Sequence, residues 1–154
     1  MNIEHIQTVF EIDEVNFSGF YEISLFKFYS ETISLDDILR TDILSEQKRP
    51  KYFGPFEIKL LSKKDFLKIN SNELKTLLQK LYEDERWGAD LKVFKENVIK
   101  VFNKINVEKD EIHYISLEKR NSEIKNEVDF WAYFFGFVCI DKSQKLVKKN
   151  IFWW

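Results

Sequence analysis

Residues 128–153 read VDFWAYFFGFVCI, DKSQK and LVKKNIFW. The first block is nearly all apolar and rich in aromatic and β-branched residues, the pattern of a central strand covered on both faces. Its longest apolar run, Phe130 to Ile140, holds 11 residues, whereas a membrane-spanning helix needs about 20. It therefore reads as core. The five polar residues Asp141 to Lys145 are short enough to turn the chain back on itself, so Val128–Ile140 and Leu146–Trp153 are expected to close a C-terminal antiparallel hairpin.

Outward from this hairpin, further strand signals lie towards the N-terminus. Phe20 to Tyr29 alternates, with Phe20, Glu22, Ser24, Phe26 and Phe28 on one face and Tyr21, Ile23, Leu25, Lys27 and Tyr29 on the other. Phe56 to Leu61 follows the turn signal Gly54-Pro55, and Glu111 to Leu117 is a third candidate. The first 12 residues fit either a strand or a short helix.

Between the strands the period changes. Asn70, with Glu73 three residues on, forms a capping-box pattern ahead of Leu74, Leu77, Leu78, Leu81 and Tyr82, which recur at helical spacing. That helix is expected to stop near Trp87-Gly88. A second, capped by Asp90, would place Leu91, Phe94, Val98, Val101, Phe102 and Ile105 on one face. Strands, then a helical pair, then strands predict an α+β fold: a mainly antiparallel sheet with a central helical pair and the C-terminal hairpin.

Composition bounds the rest. With 44% hydrophobic residues and 15 Phe among 154 positions, the chain carries too much apolar surface to stay disordered. Only 4 Gly and 2 Pro are present, with no Ser/Gly-rich seam, so a single domain over 1–154 is expected. Cys139 is the one cysteine and cannot form an intrachain disulfide. Met1 to Phe10 lacks the basic start and continuous apolar stretch of a signal peptide. The expected location is the cytoplasm.

Charge is unevenly spread. Residues 1–47 hold ten acids and two bases, residues 48–80 nine bases and three acids, and the remainder balances to the net −2. An acidic segment of this size repels nucleic acid and attracts basic proteins. Glu11, Asp13, Glu14, Glu31, Asp36, Asp37 and Asp42 are the candidate partner-binding residues. The plainer interpretation is that they solvate strand edges and loops. Phe130, Trp131, Tyr133, Phe134, Phe135, Phe137, Phe152, Trp153 and Trp154 form an aromatic C-terminus, mostly core material, from which Trp154 is the candidate interface anchor.

Catalytic sets are sparse. Glu57-Ile58-Lys59 has the acidic-x-Lys pattern of restriction-type nucleases, with Asp42 or Asp37 as the second carboxylate for a divalent metal and Lys59 polarising the attacking water. Alternating charged and apolar residues would look the same on any half-buried strand. His5 and His113 fall in unrelated segments, and His113 reads as an outward-facing strand residue. Two histidines and one cysteine do not make a zinc site, and four scattered glycines allow no phosphate-binding loop. No catalytic residue, metal or cofactor is assigned.

In size, acidic stretch (Glu11 to Glu46) and aromatic richness, the chain resembles the small immunity proteins that protect bacteria from polymorphic or contact-dependent toxins. That resemblance implies a protein inhibitor in a one-to-one complex with a basic toxin domain, often a nuclease whose active-site surface it covers. The alternatives are a metal-dependent nuclease using Glu57 and Lys59, and a structural or weakly self-associating module using the C-terminal aromatics.

Overall fold

The computed structural model describes residues 2–12, 20–46, 49–83, 108–116 and 134–153, together with positions 96, 99 and 103. Their centre is a six-stranded antiparallel sheet. In chain order the elements are β1 (Ile3–Ile12), β2 (Phe20–Phe28), α1 (Leu35–Leu39), the two-residue strands β3 (Tyr52–Phe53) and β4 (Phe56–Glu57), β5 (Leu67–Ile69), α2 (Ser71–Glu83), β6 (Glu111–Ser116), β7 (Phe134–Asp141) and β8 (Leu146–Trp153). The large sheet has the order β1-β2-β8-β7-β6-β5, and β3 and β4 form a separate small hairpin. The expected α+β fold with a mainly antiparallel sheet is present.

β7 and β8 pair as the apolar run and its return predict, from Phe134 opposite Trp153 to Asp141 opposite Leu146. Every residue of β7 is buried, because a strand flanks it on each side and both of its faces are covered. Asp141 ties the turn together: its Oδ1 accepts from the Ser143 hydroxyl at 2.7 Å and from the Gln144 amide at 3.0 Å. Those bonds outweigh the effect of burial and hold its carboxyl below the ordinary range.

Strand pairing puts Phe26, Phe28, Ile115, Phe134, Val138, Ile140, Val147 and Ile151 on one face. Against them packs the segment 33–66, contributing Ile33, Leu35, Ile38, Leu44, Phe53, Phe56, Ile58, Leu61 and Phe66. This is the main core. Gly136 sits where β3 crosses β7, and a Cβ there would come within 2.7 Å of the Phe53 ring. Gly54 turns the β3–β4 hairpin with φ +59, a conformation that L side chains rarely adopt.

The opposite face carries Leu67, Ile69 and Tyr114, which share a groove with Asn72, Glu73, Thr76 and Leu77 of α2. The capping box of α2 forms as its sequence predicts: the Glu73 amide donates to Asn70 Oδ1 at 2.9 Å, and the Asn70 amide to Glu73 Oε1 at 3.2 Å. Leu74 is fully buried. The second helix of the expected pair falls outside the described residues, except that Glu96 and Ile99 are helical and the Asn103 amide donates to Ile99 O. Among the described residues no helix is long and apolar enough to cross a membrane.

Two local expectations need correcting. The strand over Phe56–Leu61 ends at Glu57 and gives way to a 3-10 turn over Ile58–Leu60. Ile58 and Leu61, three apart, are both buried, which a turn of three residues achieves and a period of two does not. His113 is buried rather than outward-facing. Within the first 12 residues, Ile3–Ile12 form a strand, with a bulge between His5 and Gln7.

Candidate functional site

The polar side chains on the core face of the sheet lie in and beside one cross-strand row, with Glu22 and Glu111 in neighbouring rows. Thr8 lies opposite Ser24, Ser24 opposite Lys149, Lys149 opposite Val138, Val138 opposite His113, and His113 opposite Lys68. Polar groups on a buried face are costly unless they bond to one another. Here they fall into two clusters, one on each side of Val138.

The first cluster is a continuous polar line. His5 Nε2 lies 2.6 Å from Thr8 Oγ1, Thr8 Oγ1 lies 2.9 Å from Ser24 Oγ, and the Ser24 hydroxyl donates to Glu22 Oε1 at 3.2 Å. Glu22 Oε1 pairs with Lys149 Nζ at 2.5 Å, both side chains being almost fully buried. Lys149 also donates to Ser45 O at 2.8 Å, pinning the 33–66 layer to the sheet. Glu22 Oε2 is buried and accepts no hydrogen bond from the described residues. A pocket of about 220 Å³ opens beside this line, walled by His5, Thr8, Glu22, Ser24, Phe26 and Asp42, among others.

Glu46 belongs to the same electrostatic unit. It is 2% exposed and its Oε1 accepts from the Gly54 amide at 2.5 Å. Burial pushes its carboxyl up to about 7, the Gly54 bond opposes that, the nearby Glu22 charge adds to it, and Arg49 and Lys149 draw it back.

Across Val138, the second cluster surrounds Glu111. His113 Nε2 lies 2.8 Å from its Oε1, and Lys142 and Lys68 lie 3.1 and 3.6 Å from its Oε2. Burial raises the Glu111 carboxyl, but the bonds from His113 and Lys142 and the field of Lys68 outweigh it and leave it low. His113 itself is pushed below its ordinary value by burial, against the pull of Glu111. This cluster borders a groove of about 510 Å³ that also includes Lys109, Asp110 and Ser143. On the other face, Lys148 donates to both oxygens of the fully buried Asp110, at 3.0 and 2.8 Å. Cys139 is buried and free, with burial pushing its thiol well above the ordinary value.

The acids singled out from the sequence separate on folding. Glu31 and Asp42 are exposed and Asp36 and Asp37 half-buried on the 33–66 layer or at its start. Asp37 is engaged locally: its Oδ2 accepts from the Ser34 amide and hydroxyl at 2.9 and 2.7 Å while the Ser34 hydroxyl receives the Asp37 amide. Those Ser34 bonds hold its carboxyl low. Asp36 faces Lys63 at 3.4 Å. Glu11 is on β1, with its side chain outside the described residues, as are Asp13, Glu14 and Trp154. Phe134, Phe135 and Phe137 are buried in the sheet.

The acidic-x-Lys pair converges with one of its proposed partners. Asp42, Glu57 and Lys59 line a pocket of about 470 Å³ with Arg40 and Lys51, and Lys59 Nζ lies 3.5 Å from Glu57 Oε1. Asp37 does not line it. Among the described residues no group of three or more His, Cys, Asp and Glu is placed to hold a metal ion. Comparison with protein-family models, with curated proteins and with solved structures returned no match.

Sequence reasoning missed Lys149, Glu46 and Ser24 as site components. The signal for Glu22 and Ser24 was their alternation with Phe20, Phe26 and Phe28 on one strand face, which places them in the core. Lys149 alternates in the same way with Val147 and Ile151 on β8, but its partners are more than a hundred positions away.

Proposed function

We propose that this protein is a binding protein of the immunity type: a cytoplasmic inhibitor that neutralises a basic toxin domain by covering its active-site surface. The observation that carries the proposal is the placement of Glu31, Asp36 and Asp42 at the surface of a layer that is firmly held beneath. Leu35 and Ile38 anchor α1 in the main core, its capping box fixes the first turn, and Lys149 bonds to the following loop at Ser45 O. Carboxylates on a preorganised surface steer a basic partner and lose little entropy on binding. Lys63 lies 3.4 Å from Asp36 in an exposed contact and offsets part of that field.

The test is affinity capture from host lysate at low and moderate salt, comparing the wild type with the Asp36→Lys/Asp42→Lys variant. Asp37 is left intact because it caps α1. A stoichiometric basic protein, retained by the wild type and lost from the variant, is the expected result. Recovery of nothing, or of the same proteins by both forms, would remove the proposal.

One observation favours a second reading, a metal-dependent nuclease: Asp42, Glu57 and Lys59 share a pocket. It requires magnesium-dependent cleavage of nucleic acid by the purified protein, abolished by Glu57→Ala or Lys59→Ala with the fold intact.

A further inference from the structure

We propose that the outer edge of β1 is a docking site for an extended strand of the bound protein that carries lysine or arginine side chains, an inference that rests on the binding function proposed above. β1 closes one end of the six-stranded sheet and, among the described residues, pairs with β2 alone. Its ten residues, at about 3.4 Å each, present on the other side a row of N–H and C=O groups of the kind that templates a further strand.

The edge is accessible where the pairing with β2 slips. His5 lies opposite Phe26 and Gln7 opposite Leu25, so the bulge leaves Ile6 without a partner on β2. Ile6 is 51% exposed, and Glu4, His5 and Gln7 around it are exposed as well. Sheets commonly guard such an edge with lysine or proline. Ile3–Ile12 contains neither, nor an arginine. The bulge twists the edge, yet it leaves an isoleucine in solvent as an apolar contact for an incoming strand.

Charge selects the occupant. The ionisable residues of β1 are Glu4, His5 and Glu11, so the strand brings two carboxylates and no lysine or arginine to offset them. The Tyr29 hydroxyl donates to Glu4 Oε2 at 2.5 Å, while Lys27, opposite Glu4 on β2, donates to Gln144 O at 2.6 Å. A second copy of the chain suits this edge poorly: full overlap of two β1 strands about a two-fold axis sets Glu4 against Glu11, and like charges directly opposite destabilise a strand pair. A basic strand meets both positions with opposite charge. Placement agrees with this choice. Asp42 shares the lining of one pocket with His5 and Thr8, and Tyr29, whose amide donates to Asn2 O, stands two residues before the exposed Glu31. A partner drawn by those carboxylates arrives alongside β1.

The experiment is an NMR titration of the isotope-labelled full chain with an acetylated, amidated eight-residue peptide of alternating lysine and valine, and with its glutamate counterpart in parallel. Saturable shifts along β1 and slowed hydrogen exchange at alternate β1 amides are expected with the lysine peptide, and no saturation with the glutamate peptide. Ile6→Lys, at an exposed position, supplies the missing guard and should weaken the lysine peptide about tenfold, as should Glu4→Lys. Shifts without slowed exchange in β1, or binding indifferent to Ile6→Lys, would overturn the strand site. Slowed β1 exchange in the free protein that grows with its concentration, with a doubled mass in sedimentation, would give the edge to a second copy and overturn it too. If the peptide fails while a basic partner is still captured through Asp36 and Asp42, the strand site is wrong and the binding function stands. Peptide pairing on β1 with no captured partner would sustain the strand site and overturn the binding function.

Discussion

Replacing Glu46 by glutamine should stabilise the protein, increasingly so as pH rises. The carboxyl is 2% exposed, and burial moves it from an ordinary 4.5 to about 7 even after the opposing effects of the Gly54 amide, Arg49 and Lys149. Ionising it inside the fold therefore costs about 3 kcal/mol, at about 1.4 kcal/mol for each factor of ten. Because the folded value lies above the unfolded one, the native state binds the proton more tightly. Between about 4.5 and about 7 the wild type loses stability as pH rises, and below that window the loss vanishes. The Glu46→Gln variant would keep an oxygen for the Gly54 amide and has no proton to lose at this position. The stability difference between variant and wild type should thus grow by about 3 kcal/mol from about pH 4.5 to about pH 8, while other titrating groups cancel between the two proteins. For a chain of this length that is a gap in Tm of about 6–12 °C at the alkaline end. Urea unfolding followed by tryptophan fluorescence at several pH values measures it. A difference that stays constant with pH would refute the claim that Glu46 is held with a raised carboxyl.

Other expectations follow from single contacts. Gly136→Ala should cost about 1–3 kcal/mol by overpacking against Phe53, read from denaturant midpoints; an unchanged midpoint would mean that β3 is not seated on β7. Asp110→Asn should cost about 3–5 kcal/mol by stranding Lys148, whereas Asp110→Asn with Lys148→Met should recover much of that. Ser34→Ala should cost about 1 kcal/mol through loss of the α1 cap, with the core otherwise intact. Cys139 should resist thiol reagents in the native protein and react once urea unfolds it; fast native labelling would show that β7 opens.

What the sequence discloses and what it hides separate by range. The α2 cap at Asn70 and Glu73 is legible because its two partners are three residues apart, and the β7–β8 hairpin because its turn, Lys142 to Lys145, is four residues long. β5, with three residues, is too short to show a period. α1 carries a Ser-x-x-Asp cap at Ser34 and Asp37 but is only five residues long, so the capping box was the one usable signal. The polar row across the sheet depends on register among six strands and has no local signature. Glu22 and Glu46 are among the ten acids of residues 1–47, yet both are buried, because the ammonium that makes this tolerable arrives from β8 and the Gly54 amide from the turn. Burial of an acid is decided by its partners, and here the partners are remote.

Association kinetics with the captured basic partner test the proposed function most directly. Stopped-flow mixing of that partner with the wild type and with Glu31→Gln/Asp36→Asn/Asp42→Asn should show an association rate that falls with salt. Neutralising the three acids should lower that rate about tenfold while changing dissociation less, as expected for charges that steer an encounter. Equal association rates for the two proteins at low salt would contradict binding through Glu31, Asp36 and Asp42.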